Sequence, residues 1–145
     1  MRCMNDEVLF IDTNILVYLF DSDAPTKKAI AQTVFRKPNL RLSTQVLQEF
    51  YVAVTRKLAR PLSPAQALQA VHYFQTYPVA VISSALVTRS IQRSIGSQLS
   101  LWDSLIVETA LAENADRLVT EDLQDGWMID GMRVWNPFTC SSERI

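Results

Sequence analysis

"VLFIDTNILVYLF", residues 8–20, decides how the rest of the chain is read. Two apolar runs are interrupted once, by Asp12, Thr13 and Asn14. Residues 8–11 are β-favouring and apolar without alternation, as expected of a strand buried on both faces. Residues 14–20 read as a short helix. Asp12 falls where the strand hands over to the helix. It either caps that helix, because Asp is a favoured N-cap, or emerges as a functional carboxylate at the mouth of a sheet.

Working outward, strands and helices alternate. "DSDAP" at 21–25 is a turn leading into a helix over 25–37, with Pro25 near its first position. "LRLS" at 40–43 is a second strand. A helix over 43–58 follows, with Ser43 as N-cap and Leu42 and Leu47 spaced as a hydrophobic staple. "RPLSP" breaks the chain at 60–64, and another helix runs to Gln75. "PVAVIS" at 78–83 is a third strand. Helices over 84–95 and 101–114 are separated near Gly96. "RLVT" at 117–120 and "MRVWNP" at 132–137 complete five strands. The alternation predicts an α/β fold, a mainly parallel five-stranded sheet with helices on both faces. The 145 residues suit a single domain, 1–145. Open parallel sheets build their sites beyond the carboxyl ends of the strands. Chemistry is therefore expected after Ile11, Ser43, Ile82 and Thr120.

Composition narrows the class. Hydrophobic residues make up 48% and charged residues 20%, an ordinary globular balance. Three glycines argue against a glycine-rich phosphate loop. Net charge is −1, so charge alone forecasts no strong grip on nucleic acid. The basic residues are nevertheless uneven: Lys27, Lys28, Arg36, Lys37, Arg41, Arg56, Lys57 and Arg60 cluster early, and no lysine follows Lys57. They read as a solvated helix surface or as a nucleic-acid face. Cys3 and Cys140 have neither zinc-site spacing nor a disulfide framework, which fits a reduced, cytoplasmic setting. Residues 8–20 are too short to span a bilayer and carry Asp12 and Asn14 in their middle, so no membrane partner is expected.

The remaining acids repeat the puzzle of Asp12. Glu49 shares a helix face with Val46, Val52 and Ala53, where an unpaired carboxylate is costly. Asp103 leads a stripe of Ile106, Val107, Ala110 and Leu111, though its spacing from Ser100 also suits a cap at a helix N-terminus that favours negative charge. Asp122 follows the fourth strand, where Asp is also a common turn former; Glu121 and Asp125 read as solvated neighbours. Thr120 ends that strand and directs a hydroxyl toward the same mouth. Converging carboxylates repel one another, and at least one pKa rises unless a cation is present. An oxygen-only set selects hard ions, Mg²⁺ or Mn²⁺. Such ions suit phosphodiester hydrolysis. His72 is the lone histidine and reads as a packing or surface residue, leaving no separate Ser-His-Asp or Cys-His site. Trp102, Trp127, Trp135 and the tyrosines are scattered and read as core or interface residues rather than a base-stacking platform.

These stretches resemble the PIN-domain family, most closely the small VapC-type toxin ribonucleases of type II toxin–antitoxin pairs. "FIDTNILVYLF" resembles the opening motif, with Asp12 as its first acid and Asn14 as an amide that orders the loop. "STQVLQEFYVAVTRK" resembles the second, with Glu49. "LSLWDSLIVETALAENADRLVTEDL" resembles the third and fourth, giving Asp103, Asp122 and the hydroxyl of Thr120. "GMRVWNP" is similar to the usual last strand. Thr13 matches a variable small polar position and receives no role. The resemblance implies a three-layer α/β/α sandwich and an endoribonuclease dependent on Mg²⁺ or Mn²⁺. It also implies RNA as substrate, homodimers, and a small cognate antitoxin. Asp12, Glu49, Asp103 and Asp122 would hold the metal, with Thr120 assisting. Two other readings compete. A haloacid-dehalogenase-type phosphatase could use Asp12, Ser43 or Thr44, and Glu121–Asp122, but Asn14 stands where its second aspartate belongs and no late lysine exists. A non-catalytic interaction module would have no reason to keep buried carboxylates.

Overall fold

The computed structural model describes residues 6–139. Cys3 and Cys140 lie outside them. The elements in chain order are β1 (Leu9–Ile11), α1 (Thr13–Tyr18), α2 (Pro25–Val34), β2 (Leu40–Ser43), α3 (Thr44–Arg56) and α4 (Pro64–Phe74). They continue with β3 (Val79–Ala80), α5 (Ser84–Gly96), α6 (Leu101–Ala112), β4 (Arg117–Val119), β5 (Met128–Ile129) and β6 (Met132–Trp135). The sheet order is β3-β2-β1-β4-β6-β5. All neighbouring pairs are parallel except β5–β6, which is antiparallel.

The fold class expected from the sequence holds, but the sheet has six strands among the described residues rather than five. The addition is β5, a two-residue strand joined to β6 across Asp130 and Gly131. Both turn residues have positive φ, 48° and 88°, the geometry for which Asp-Gly is suited in a tight hairpin. The third strand is shorter than "PVAVIS": Val81 is 75% exposed and pairs with nothing beyond Ala80.

Local signals set the helix starts. Asp12, Ser43, Ser63, Ser83 and Ser100 each accept a backbone N–H as N-caps of α1, α3, α4, α5 and α6. Ser63 and Gln66 complete a reciprocal capping box. The first helix is shorter than residues 14–20 suggested, ending at Tyr18 before the turn to Asp21.

Topology then positions the site. From β1 the chain steps to β2 and β3 on one side, and later crosses back to β4 on the other. Parallel crossovers are right-handed, so α1–α4 cover one face and α5–α6 the other. The core lies between them: Phe10, Ile11, Leu42, Leu118 and Val119 of the sheet are fully buried against Ile15, Leu16, Val46, Phe50, Phe74 and Val107 of the helices. The reversal of strand order falls between β1 and β4. There the Asp12 N–H donates to the Val119 carbonyl at 3.0 Å, so the two strand ends are joined where they feed the site. No helix of the described residues is long and apolar enough to cross a membrane.

Candidate active site

Four separate elements bring the acids to one end of the sheet. Asp12 follows β1 and is buried, only 6% exposed. α3 starts at the carboxyl end of β2, and Glu49 is in its second turn. α6 runs back toward β4, so its N-terminus, carrying Asp103, lies at the same end. Asp122 follows β4 in the next loop.

Hydrogen bonds fix this arrangement. One Asp12 oxygen accepts the Thr13 N–H at 2.7 Å, and the other accepts the Thr120 hydroxyl at 2.8 Å. Thr120 is fully buried, and its oxygen accepts the Asp122 N–H at 3.1 Å. Asn14 donates to an Asp122 carboxylate oxygen at 3.0 Å and reaches Thr120 at 3.4 Å. It therefore braces the turn, as its amide suggested. Asp12 thus caps α1 with one oxygen and turns the other to Thr120 at the carboxyl end of the sheet.

Glu49 is held from two sides. Thr13 donates its hydroxyl to one oxygen at 2.7 Å, and Gln45 donates its amide to the other at 3.2 Å. The same Gln45 nitrogen also reaches the Trp102 carbonyl at 3.2 Å, tying α3 to the first turn of α6 beside Asp103. Sequence reasoning missed both Thr13 and Gln45. Neither had a local signal beyond its neighbourhood to Asp12 and its i, i+4 spacing to Glu49.

Two neighbouring acids differ from expectation. Glu121 is not a merely solvated neighbour: it accepts from Tyr18 at 2.6 Å and pairs with Lys27 at 2.8 Å. Asp125 accepts the Asn136 N–H at 2.9 Å and braces the chain after β6. Ser43 and Thr44, the hydroxyls a phosphatase would need, are otherwise engaged. Ser43 caps α3, and Thr44 accepts the Ile82 N–H at 3.3 Å. His72 is exposed on α4 beside Gln75, away from the acids.

Electrostatics record the convergence. Burial pushes the Asp12 carboxyl up to about 7, opposed by the Thr120 and Thr13 hydrogen bonds and reinforced by the charges of Asp122 and Glu49. Asp103 is also raised, by burial first and then by Asp122 and Glu49. The charges of Asp122 and Glu49 thus bear on both Asp12 and Asp103. Yet among the described residues no group of three or more carboxylate, imidazole or thiol side chains stands ready to chelate a single ion.

Glu49 and Asp122 open onto a cleft of about 670 Å³, beside which Asp12 and Asp103 stand without lining it. Its lining includes the polar Glu49, Asp122, Thr13, Asn14 and Gln45, the apolar Val17, Val52 and Trp102, and the cation of Lys57. The side-chain oxygens of Asn14 and Gln45 are buried with no hydrogen-bond donor among the described residues.

The family described as PIN domain matches residues 9–124. No curated protein matches the chain in sequence. Among solved structures, a toxin–antitoxin complex from Klebsiella pneumoniae is similar at TM-score 0.67 and 25% identity, over 90% of this chain and 98% of that one. VapC20 of Mycobacterium tuberculosis, a sarcin–ricin loop cleaving toxin, is similar at TM-score 0.62 and 14% identity, over 76% and 86%. DNA-bound VapBC from Salmonella typhimurium is similar at TM-score 0.62 and 19% identity, over 88% and 96%.

Proposed function

The chain belongs to the PIN-domain family, and from that premise we propose that it is a metal-dependent endoribonuclease, the toxin of a VapBC-type pair, working as one domain over residues 1–145. The observation that carries the reading is that four acids from four elements meet at the switch point of the sheet, where the charges of Asp122 and Glu49 raise both Asp12 and Asp103. A buried Asp raised to about 7, chiefly by burial and further by the charges of Asp122 and Glu49, is a poor structural choice unless a cation offsets the desolvation and repulsion.

The donor set fits such a cation. It is all oxygen, which suits Mg²⁺ or Mn²⁺, ions that keep several waters. The unpartnered amide oxygens of Asn14 and Gln45 are acceptors well suited to those waters. Asp12, Glu49, Asp103 and Asp122 would hold the ion. When bound, it supplies Lewis acidity toward water and the scissile phosphate.

The chain's own residues do the positioning. Thr120 orients Asp12 and the Asp122 backbone together. Asn14 holds the Asp122 carboxylate. Thr13 and Gln45 fix both oxygens of Glu49. The nucleophile is water rather than a side chain, so no covalent enzyme intermediate is expected. An antitoxin partner is in keeping with the similar toxin–antitoxin complexes. The reading also includes pairing of two copies of the chain.

Asp12→Asn and Asp103→Asn test the proposal. Each is expected to abolish Mg²⁺- or Mn²⁺-dependent cleavage of RNA and growth arrest on induction, with the circular dichroism spectrum unchanged. Undiminished cleavage by either variant, purified free of host nucleases, sinks it.

A further inference from the structure

Trp102 is 61% exposed and lines the cleft that Glu49 and Asp122 also line. An exposed tryptophan in a cleft is an unusual use of the largest apolar side chain, and such exposure marks binding surfaces. Its sequence neighbours explain its position. Leu101, Trp102 and Asp103 form the first turn of α6, so the ring stands one residue from the carboxylate that joins the acid cluster.

The backbone under the ring is fixed. Gln45, itself only 4% exposed, donates one amide nitrogen both to Glu49 and to the Trp102 carbonyl. The platform and the acid are therefore set against each other by one buried side chain. Ser100 caps the same turn through the Asp103 N–H at 3.1 Å.

The cleft has a second aromatic, Tyr18, and it is occupied. Its ring packs edge-on against Phe138, Lys27 stands 4.9 Å over its face, and its hydroxyl donates to Glu121. Trp135 is buried, with Lys37 and Arg117 over its ring. Among the described residues no ring or cation packs on Trp102. It is the aromatic face left open in the cleft. Lys57, at the C-cap of α3, adds a cation to the same wall.

We propose that Trp102 is a nucleobase-stacking subsite that receives the unpaired base next to the scissile phosphate, with Lys57 meeting an adjacent phosphate. The proposal rests on the ribonuclease reading and deepens it. Geometry favours a nucleotide here: a chain whose phosphate lies at the carboxylates carries its base along the wall. A flat π-face accepts any base, but only one that is unstacked from its neighbours. The subsite therefore selects single-stranded segments, with a modest preference at the nucleotide beside the cut that follows stacking strength rather than base identity.

The experiment uses the full chain with Mg²⁺ and a randomised pool of single-stranded octaribonucleotides, read by sequencing the products. Binding of the same oligonucleotides, with an abasic position walked along them, is read by anisotropy in the Asp12→Asn background. Trp102→Leu keeps the apolar bulk and removes the π-face, and Trp102→Tyr keeps a ring. Trp102→Leu is expected to raise KM by roughly tenfold or more, the scale of one stacked base, while kcat stays within about twofold. It should flatten the preference at one position beside the cut, and Trp102→Tyr should restore most of both effects. In binding, one abasic position should weaken the Trp102 protein and leave Trp102→Leu unaffected.

If Trp102→Leu binds and cuts every oligonucleotide as the parent does, the subsite is overturned and the ribonuclease reading stands. If the variant loses only antitoxin binding or self-association, the subsite is likewise overturned, because the ring then serves a protein partner. If the parent chain cuts no RNA, both readings fall.

Discussion

Thr13 spends its hydroxyl on Glu49, 36 residues away in sequence. Its backbone N–H meanwhile binds Asp12. One small residue thus orients two acids from two elements. A hydrogen bond to a charged acceptor contributes about 1.5–3 kcal/mol, less where partly exposed. Thr13→Val keeps the shape and removes the donor, so kcat/KM for RNA should fall by roughly tenfold, with KM little changed. Thr13→Ser should restore it. Full activity in the valine variant would remove Thr13 from the site. Nothing in "DTN" hints at this pairing, because the motif looks local whereas the partner of Thr13 is across the fold. Asp12, Glu49, Asp103 and Asp122 were legible for the opposite reason. Each is a charge set on an apolar stripe or at a strand end, so each conflicts with its own surroundings before any partner is known.

At the scale of elements, caps and periodicity carried most of the reading. Ser43 ends β2, starts α3 and is fully buried, with its hydroxyl accepting the Val46 N–H at 3.2 Å. Ser43→Ala leaves that N–H without its partner and should cost about 1 kcal/mol, a fall in Tm of roughly 2–4 °C by calorimetry. An unchanged Tm would mean that the helix start is fixed elsewhere, by the staple residues Leu42 and Leu47. The long helices were readable because their apolar spacing is sustained over several turns. The short strands were not. β5 has two residues, Met128 half-exposed and Ile129 buried, too few for a period. Only the Asp130-Gly131 turn signalled it, and that signal is read once β6 is known to need an antiparallel neighbour. β3 looked longer because Val81 and Ile82 favour strands, but β2 ends at Ser43 and offers them no further ladder.

At the scale of the whole molecule, Asp122 and Glu49 act on both Asp12 and Asp103, and stability responds to the two raised carboxyls. In the metal-free protein the Asp12 carboxyl is raised to about 7, against 3.8 for its ordinary value, chiefly by burial. Between those values the folded protein holds a proton that the unfolded chain has released. The contribution is thus fully present below about pH 4 and is lost as pH rises through about 7, at most about 4 kcal/mol. Asp103, raised by the same causes, acts in the same direction. Metal-free protein should therefore melt at a lower temperature at pH 8 than at pH 5. Asp12→Asn, which carries no charge to desolvate, should flatten most of that difference. A divalent cation favours the ionised acids and binds only the folded state. At a hundred times its Kd it should return about 2.7 kcal/mol, a rise in Tm of roughly 5–10 °C at pH 8. The rise should shrink at pH 5, where protons compete for the same oxygens, and in Asp12→Asn. A melting temperature that is flat with pH in metal-free protein, or a Mg²⁺ shift as large in Asp12→Asn as in the parent, would show that the four carboxylates do not act as one site.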